Sequence, residues 1–111
     1  MAPPRYQVRL TQGAERDLEA LYDYLAEHRS ADEAEALLEA LVGKVETLED
    51  FPERGSVPKE LEALGMREFR QILMGRYRMI YRVAGAAVFV MVIADGRRDM
   101  QSLLERRLLG R

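Results

Sequence analysis

The nine residues Ala86–Ala94 run without a single polar side chain, and this run limits the chain more than any other segment. It is far too short to cross a bilayer, which takes roughly 18 to 20 apolar residues. Its unbroken character predicts a central strand, since a strand with one wet face alternates. The residues before it supply its neighbours. Arg67–Met74 and Arg76–Ala84 are strand-like runs joined at Gly75, and Ala84-Gly85-Ala86 turns the chain into Val88–Ile93. Connections this short predict an antiparallel meander, because parallel neighbours need a crossover of a dozen residues.

The N-terminal half has a different period. Tyr6–Leu10 alternates apolar and polar residues, as a half-buried strand does. Thr11 is placed to cap a helix whose apolar stripe is Ala14, Leu18, Leu21, Tyr22 and Leu25, ending near His28. Ser30-Ala31-Asp32-Glu33 is a capping box for a second helix, with the stripe Ala34, Leu37, Leu38, Leu41, Val42, Val45 and Leu48. The connection between them is short enough to make an antiparallel hairpin. Phe51–Pro58, with its Pro and Gly, reads as a loop. Asp99 is a cap for a last helix carrying Met100, Leu103, Leu104 and Leu108 and ending at Gly110-Arg111. The order βααβββα in 111 residues predicts one α+β domain over residues 1–111, its helical hairpin packed on one face of a small antiparallel sheet.

Charge divides the chain unevenly. Met1–Met66 holds 7 basic and 15 acidic residues, whereas Arg67–Arg111 holds 10 basic and 4 acidic ones, and all 10 are arginine. Arginine is a planar fork of donors suited to phosphate and carboxylate. The C-terminal part therefore either meets an anionic partner or uses arginine stems to cover an open sheet face. Without cysteine there is neither a disulfide nor a thiolate metal site, which fits a reducing cytoplasm. No metal, cofactor or membrane partner is expected. Met1–Arg5 lacks the apolar stretch of a secretory signal, so export by that route is not expected either.

Several segments together resemble a known family. Gly75-Arg76-Tyr77-Arg78-Met79-Ile80-Tyr81-Arg82-Val83 is similar to the Tyr-Arg-x-x-Tyr-x-Val strand of RelE/ParE toxins, and Val92–Asp99 is similar to their closing strand and arginine turn. Leu10-Thr11 with Ala14, Asp17-Leu18 and Tyr24 resembles their first-helix pattern. The resemblance implies the toxin half of a type II toxin–antitoxin pair, acting in the cytoplasm and neutralised by a cognate antitoxin. Sequence-specific DNA binding is not expected without that antitoxin. The family spans poisoning of DNA gyrase and ribosome-dependent cleavage of messenger RNA.

Cleavage through a ribose hydroxyl needs a base, an acid and positive charge around the phosphate. By the resemblance, Arg78 and Arg98 match arginines that serve the phosphate in RelE-like nucleases. Phe69 and Gln71 stand where those nucleases carry lysines, and Leu104 stands where they carry a tyrosine. His28 is far along the chain from the arginine-rich part, and arginine itself is a poor proton shuttle. Glu68, Asp95, Asp99, Tyr77 and Tyr81 remain for acid–base work. Of these, Asp99 is also a helix cap, and Tyr77 and Tyr81 share a strand face with Met79 and Val83 as core residues do. The last helix is either core or a partly exposed apolar ridge. The arginine pair and the Leu-rich C-terminus are more ParE-like than nuclease-like. The expected target-binding residues are Arg78, Arg97, Arg98, Arg106 and Arg107, with gyrase as target and the ribosome as the alternative.

Overall fold

A computed structural model describes residues 5–110; Met1–Pro4 and Arg111, including the expected leaderless start and the last arginine, lie outside the described residues. Strand β1 (Gln7–Leu10) leads into α1 (Gln12–His28) and α2 (Ala31–Glu46). The caps are those expected. The Thr11 hydroxyl accepts from the Ala14 amide at 3.2 Å, and the Ser30 hydroxyl accepts from the Glu33 amide at 3.1 Å. Each satisfies a donor that the first helical turn leaves orphaned. Arg29 and Ser30 alone separate the helices, so they fold back as a hairpin. A 3₁₀ turn (Thr47–Glu49) and then α3 (Lys59–Glu62) follow. The segment Phe51–Pro58 is a loop as expected, but α3 was not foreseen.

Strands β2 (Phe69–Met74), β3 (Tyr77–Ala84) and β4 (Ala87–Asp95) form the antiparallel meander, and α4 (Met100–Leu109) closes the chain. Gly75 and Gly85 hold left-handed φ angles of 57° and 60° in the two tight turns, a conformation that glycine adopts without a Cβ penalty. The sheet order is β1-β4-β3-β2, so β4 lies inside, as its apolar run requires. β1 joins it parallel, which is possible because the hairpin supplies the crossover. Thr11 ends that pairing: its amide and its hydroxyl both donate to the Val90 carbonyl, at 3.1 and 2.9 Å.

Met91 is the irregular residue of the sheet. Tyr81 pairs with Val90 and Ile80 with Val92, which leaves Met91 as an extra residue on β4. A bulge reverses the alternation of side chains along its strand. Before it, Val88 and Val90 pack against the hairpin with Leu18, Leu41, Val45, Met79 and Tyr81. After it, Val92 and Ala94 pack on the opposite face with Leu61, Phe69, Ile80, Met100, Leu103 and Leu104. The continuous apolar run is therefore covered on both sides. The hairpin occupies one face as expected, and α3 and α4 close the other. Of the two readings of the last helix, core is the one realised: Met100, Leu103 and Leu104 are buried.

Candidate functional site

The five candidate arginines take three different environments. Arg78 on β3 is enclosed. Its Nη1 and Nη2 donate to the two Glu60 carboxylate oxygens at 2.9 and 2.8 Å, and its Nε donates to Gln71 Oε1 at 2.7 Å. The side chains of Arg78 and Glu60 are only 13% and 10% exposed, so the pair is shut off from an incoming anion. The guanidinium holds the Glu60 carboxyl below the usual carboxylate range against the opposing effect of burial. Gly96 leaves room for this arrangement, since a Cβ there would stand 2.8 Å from Arg78 Cδ.

Arg107 on α4 is also engaged. Its Nη1 and Nη2 donate to the Asp17 carboxylate on α1 at 2.8 and 3.1 Å, and Nη2 donates to the Met91 carbonyl at 2.9 Å. Asp17 in turn accepts from the Ile93 amide at 2.9 Å. β1 pairing ends at Val90, so the two side chains take over the edge of β4 where the strand partner stops. Gly13 makes room on α1, because a Cβ there would come within 2.4 Å of Arg107 Nη2.

The turn after β4 presents the open charges. Arg97 is 71% exposed and pairs with Asp95, Nη2 to Oδ2 at 2.8 Å, while Arg76 reaches the same carboxylate at 3.2 Å. The Arg97 bonds, with Arg76 nearby, hold the Asp95 carboxyl below its usual range. Arg98 and Arg106 are exposed and make no ion pair among the described residues. Arg98 borders a groove of about 260 Å³ on the hairpin side, with Leu21, Tyr24, Ile93, Ala94 and Asp95. Arg78 points to the other face, toward α3. The two arginines that the RelE pattern joins around one phosphate are thus divided between the two faces of the sheet.

Of the remaining acid–base candidates, Tyr77, Tyr81 and Asp99 have structural partners. Tyr81 is fully buried, and its hydroxyl accepts from the Gly55 amide at 3.1 Å; burial pushes its pKa up. Tyr77 is buried beneath Arg76, whose Nη2 donates to its hydroxyl at 3.2 Å. Asp99 caps α4 by accepting from the Ser102 amide and hydroxyl at 3.1 and 2.8 Å, and those bonds lower its pKa. Phe69 and Leu104 are core, Gln71 serves Arg78, and Glu68 is exposed. His28 lies at the end of α1, stacked on Tyr24 with ring centroids 4.2 Å apart. Glu60 escaped the sequence reading, although Pro58 followed by acidic residues is a helix-start signal.

Solved structures share this fold, two of them from toxin–antitoxin systems. A chain of the chromosomal ParDE toxin–antitoxin system from P. aeruginosa matches with a TM-score of 0.70 at 18% identity, over 82% of this chain and 96% of that one. A chain of the RelBE2 toxin–antitoxin complex from Mycobacterium tuberculosis matches with a TM-score of 0.61 at 24% identity, over 85% and 94%. No curated protein matches the chain in sequence. The model of the ParE toxin of type II toxin–antitoxin systems matches residues 8–100, from β1 through the arginine turn to the start of α4, and the chain belongs to that family.

Proposed function

We propose that this toxin arrests growth by binding and poisoning DNA gyrase in the cytoplasm, and that a cognate antitoxin neutralises it. One observation carries the choice of target: positive charge is exposed at Arg97, Arg98 and Arg106, whereas the acid–base candidates Tyr77, Tyr81, Asp95 and Asp99 are held in structural contacts. Arg78 is neutralised by Glu60, Asp99 is a cap, and Tyr77 and Tyr81 are core. Binding needs only the exposed charge, whereas cleavage needs the acid and base as well. The antitoxin partner is supported by the family and by the fold neighbours, which come from a ParDE system and a RelBE2 complex.

Purified chain should block gyrase supercoiling in vitro, and it should leave translated messages intact in primer extension. Cuts within codons that vanish on Arg98→Ala establish instead the ribosome-dependent nuclease, the reading favoured by the match of Arg78 and Arg98 to nuclease arginines.

A further inference from the structure

Phe89 is a large aromatic residue that the core does not use. Its neighbours on β4, Val88 and Val90, pack on the hairpin side of the sheet, so Phe89 points to the opposite face. It is half-buried there and belongs to neither packed layer. The strand register places an arginine on each side of it: Arg9 of β1 and Arg82 of β3 both pair with Phe89. Val8, Leu10 and Tyr81 pack toward the hairpin, and both arginines therefore share the face of Phe89. Neighbouring strands lie about 4.8 Å apart, which sets the two arginine backbones about 10 Å apart with the ring between them.

The row Arg9–Phe89–Arg82 is open and uncompensated. α3 and α4 cover the other end of this face, over Phe69, Val92 and Ala94. Arg9 and Arg82 are exposed, and neither is in an ion pair among the described residues. Arg9 Nη2 donates to Gln7 Oε1 at 2.7 Å, a neutral partner that leaves its charge standing. Asp95, the one acidic residue of the four strands, lies on the hairpin side. Past the edge of β1, the carboxylates of Glu49 and Asp50 are both engaged by Arg5. Among the described residues the cation–π contact is that of Arg76 over Tyr77, so neither guanidinium caps the Phe89 ring. A free ring offers a stacking face and the flanking cations offer partners for phosphate, the combination that suits single-stranded nucleic acid. A duplex brings phosphates but keeps its base faces stacked on one another, and an acidic peptide leaves the ring without a planar partner. We propose that this face binds a single strand of DNA, one base stacked on Phe89 and the neighbouring phosphates held by Arg9 and Arg82. DNA as the source of the strand rests on the gyrase reading above, and the base and phosphate chemistry rests on the row itself.

The test is a titration of the full chain into fluorescein-labelled oligo(dT), followed by anisotropy with no gyrase present. Binding should weaken as salt rises. Phe89→Leu should weaken it about tenfold, the share of one stacked base, and Phe89→Tyr should retain it. Arg9→Gln with Arg82→Gln should reduce the slope of log affinity against log salt by about 0.7 per arginine, as for phosphates of a single strand. Thermal unfolding checks that each variant is folded, and the exposed arginine pair together with Phe89→Tyr carries the test if Phe89→Leu unfolds. No binding overturns the proposal, as does wild-type binding by folded Phe89→Leu or an unchanged salt slope in the arginine pair. Equal binding of a duplex reduces the face to charge alone and overturns it, and several-fold tighter binding of oligo(U) makes RNA the occupant and overturns it too. A chain that binds oligo(dT) but leaves gyrase supercoiling untouched keeps the DNA face and loses the functional reading. A chain that blocks supercoiling and ignores oligo(dT) keeps the functional reading and loses the DNA face.

Discussion

Asp17 and Arg107 stand 90 residues apart in sequence and meet through two hydrogen bonds across the edge of β4. The pair ties α1, on one face of the sheet, to α4, on the other, and closes backbone groups of β4 that β1 does not reach. A partly buried charge pair of this kind is costly to break from one side, because the survivor keeps its desolvation without its partner.

Asp17→Ala should therefore destabilise the fold by about 2 kcal/mol, in the range of hydrogen bonds to charged groups. Chemical denaturation is the measurement. Arg107→Ala should cost a similar amount, and the double variant should cost clearly less than the two singles combined. Full additivity would show that the pair contributes no coupling.

Arg97→Ala with Arg98→Ala should abolish growth arrest and gyrase inhibition, each lost charge-assisted contact weakening target binding by about 1 to 3 kcal/mol. Thermal unfolding should hardly move, since substitutions at exposed positions usually stay within about 0.5 kcal/mol. Arg78→Ala should do the opposite to stability, because it strands Glu60 in a site only 10% exposed. If the folded double variant still arrests growth as wild type does, the target surface lies elsewhere.

Acid should loosen the contact between α3 and the sheet. The folded-state pKa of Glu60 lies below its ordinary value of 4.5, so the ion pair with Arg78 contributes fully above that value. The contribution is lost as pH falls through the lower, folded pKa. Melting temperature followed from neutral pH down to about 3 should drop on this limb, below the ordinary carboxylate range. Glu60→Gln should melt lower at neutral pH and show a shallower acid limb. A parallel limb in that variant would assign the acid loss to other carboxylates, with Asp95 and Asp99 first in line.

Two glycines should respond to alanine with opposite signs. At Gly43 the Cβ enters open space, and Gly43→Ala should stabilise α2 by up to about 1 kcal/mol, the helix-propensity difference. At Gly55 the Cβ would stand 2.4 Å from the Gln71 carbonyl oxygen and 2.7 Å from the Tyr81 hydroxyl. Gly55→Ala should thus push the loop off β2, costing about 1 to 3 kcal/mol as overpacking does. Paired denaturation curves decide both.

The sequence by itself determined the main elements and their order, with α3 and the 3₁₀ turn before it as the exceptions. Thr11, Ser30 and Asp99 cap the helices they announced, because a cap is a bond between a side chain and an amide three residues on. Gly75 and Gly85 mark their turns for an equally local reason, and the unbroken run Ala86–Ala94 required a strand away from the sheet edge. The count of exposed arginines was not legible in the same way. Arg78, Arg97, Arg98, Arg106 and Arg107 look alike in sequence, yet Arg78 is spoken for by Glu60, 18 residues before it, and Arg107 by Asp17. Whether a guanidinium is free depends on which carboxylate the fold carries to it. That depends in turn on the bulge at Met91, on the landing of α3 and α4 on the second face, and on the missing Cβ atoms of Gly13 and Gly96. These are long-range packing outcomes that no local pattern encodes, so the tertiary structure alone separated the arginines that hold the protein together from those left exposed.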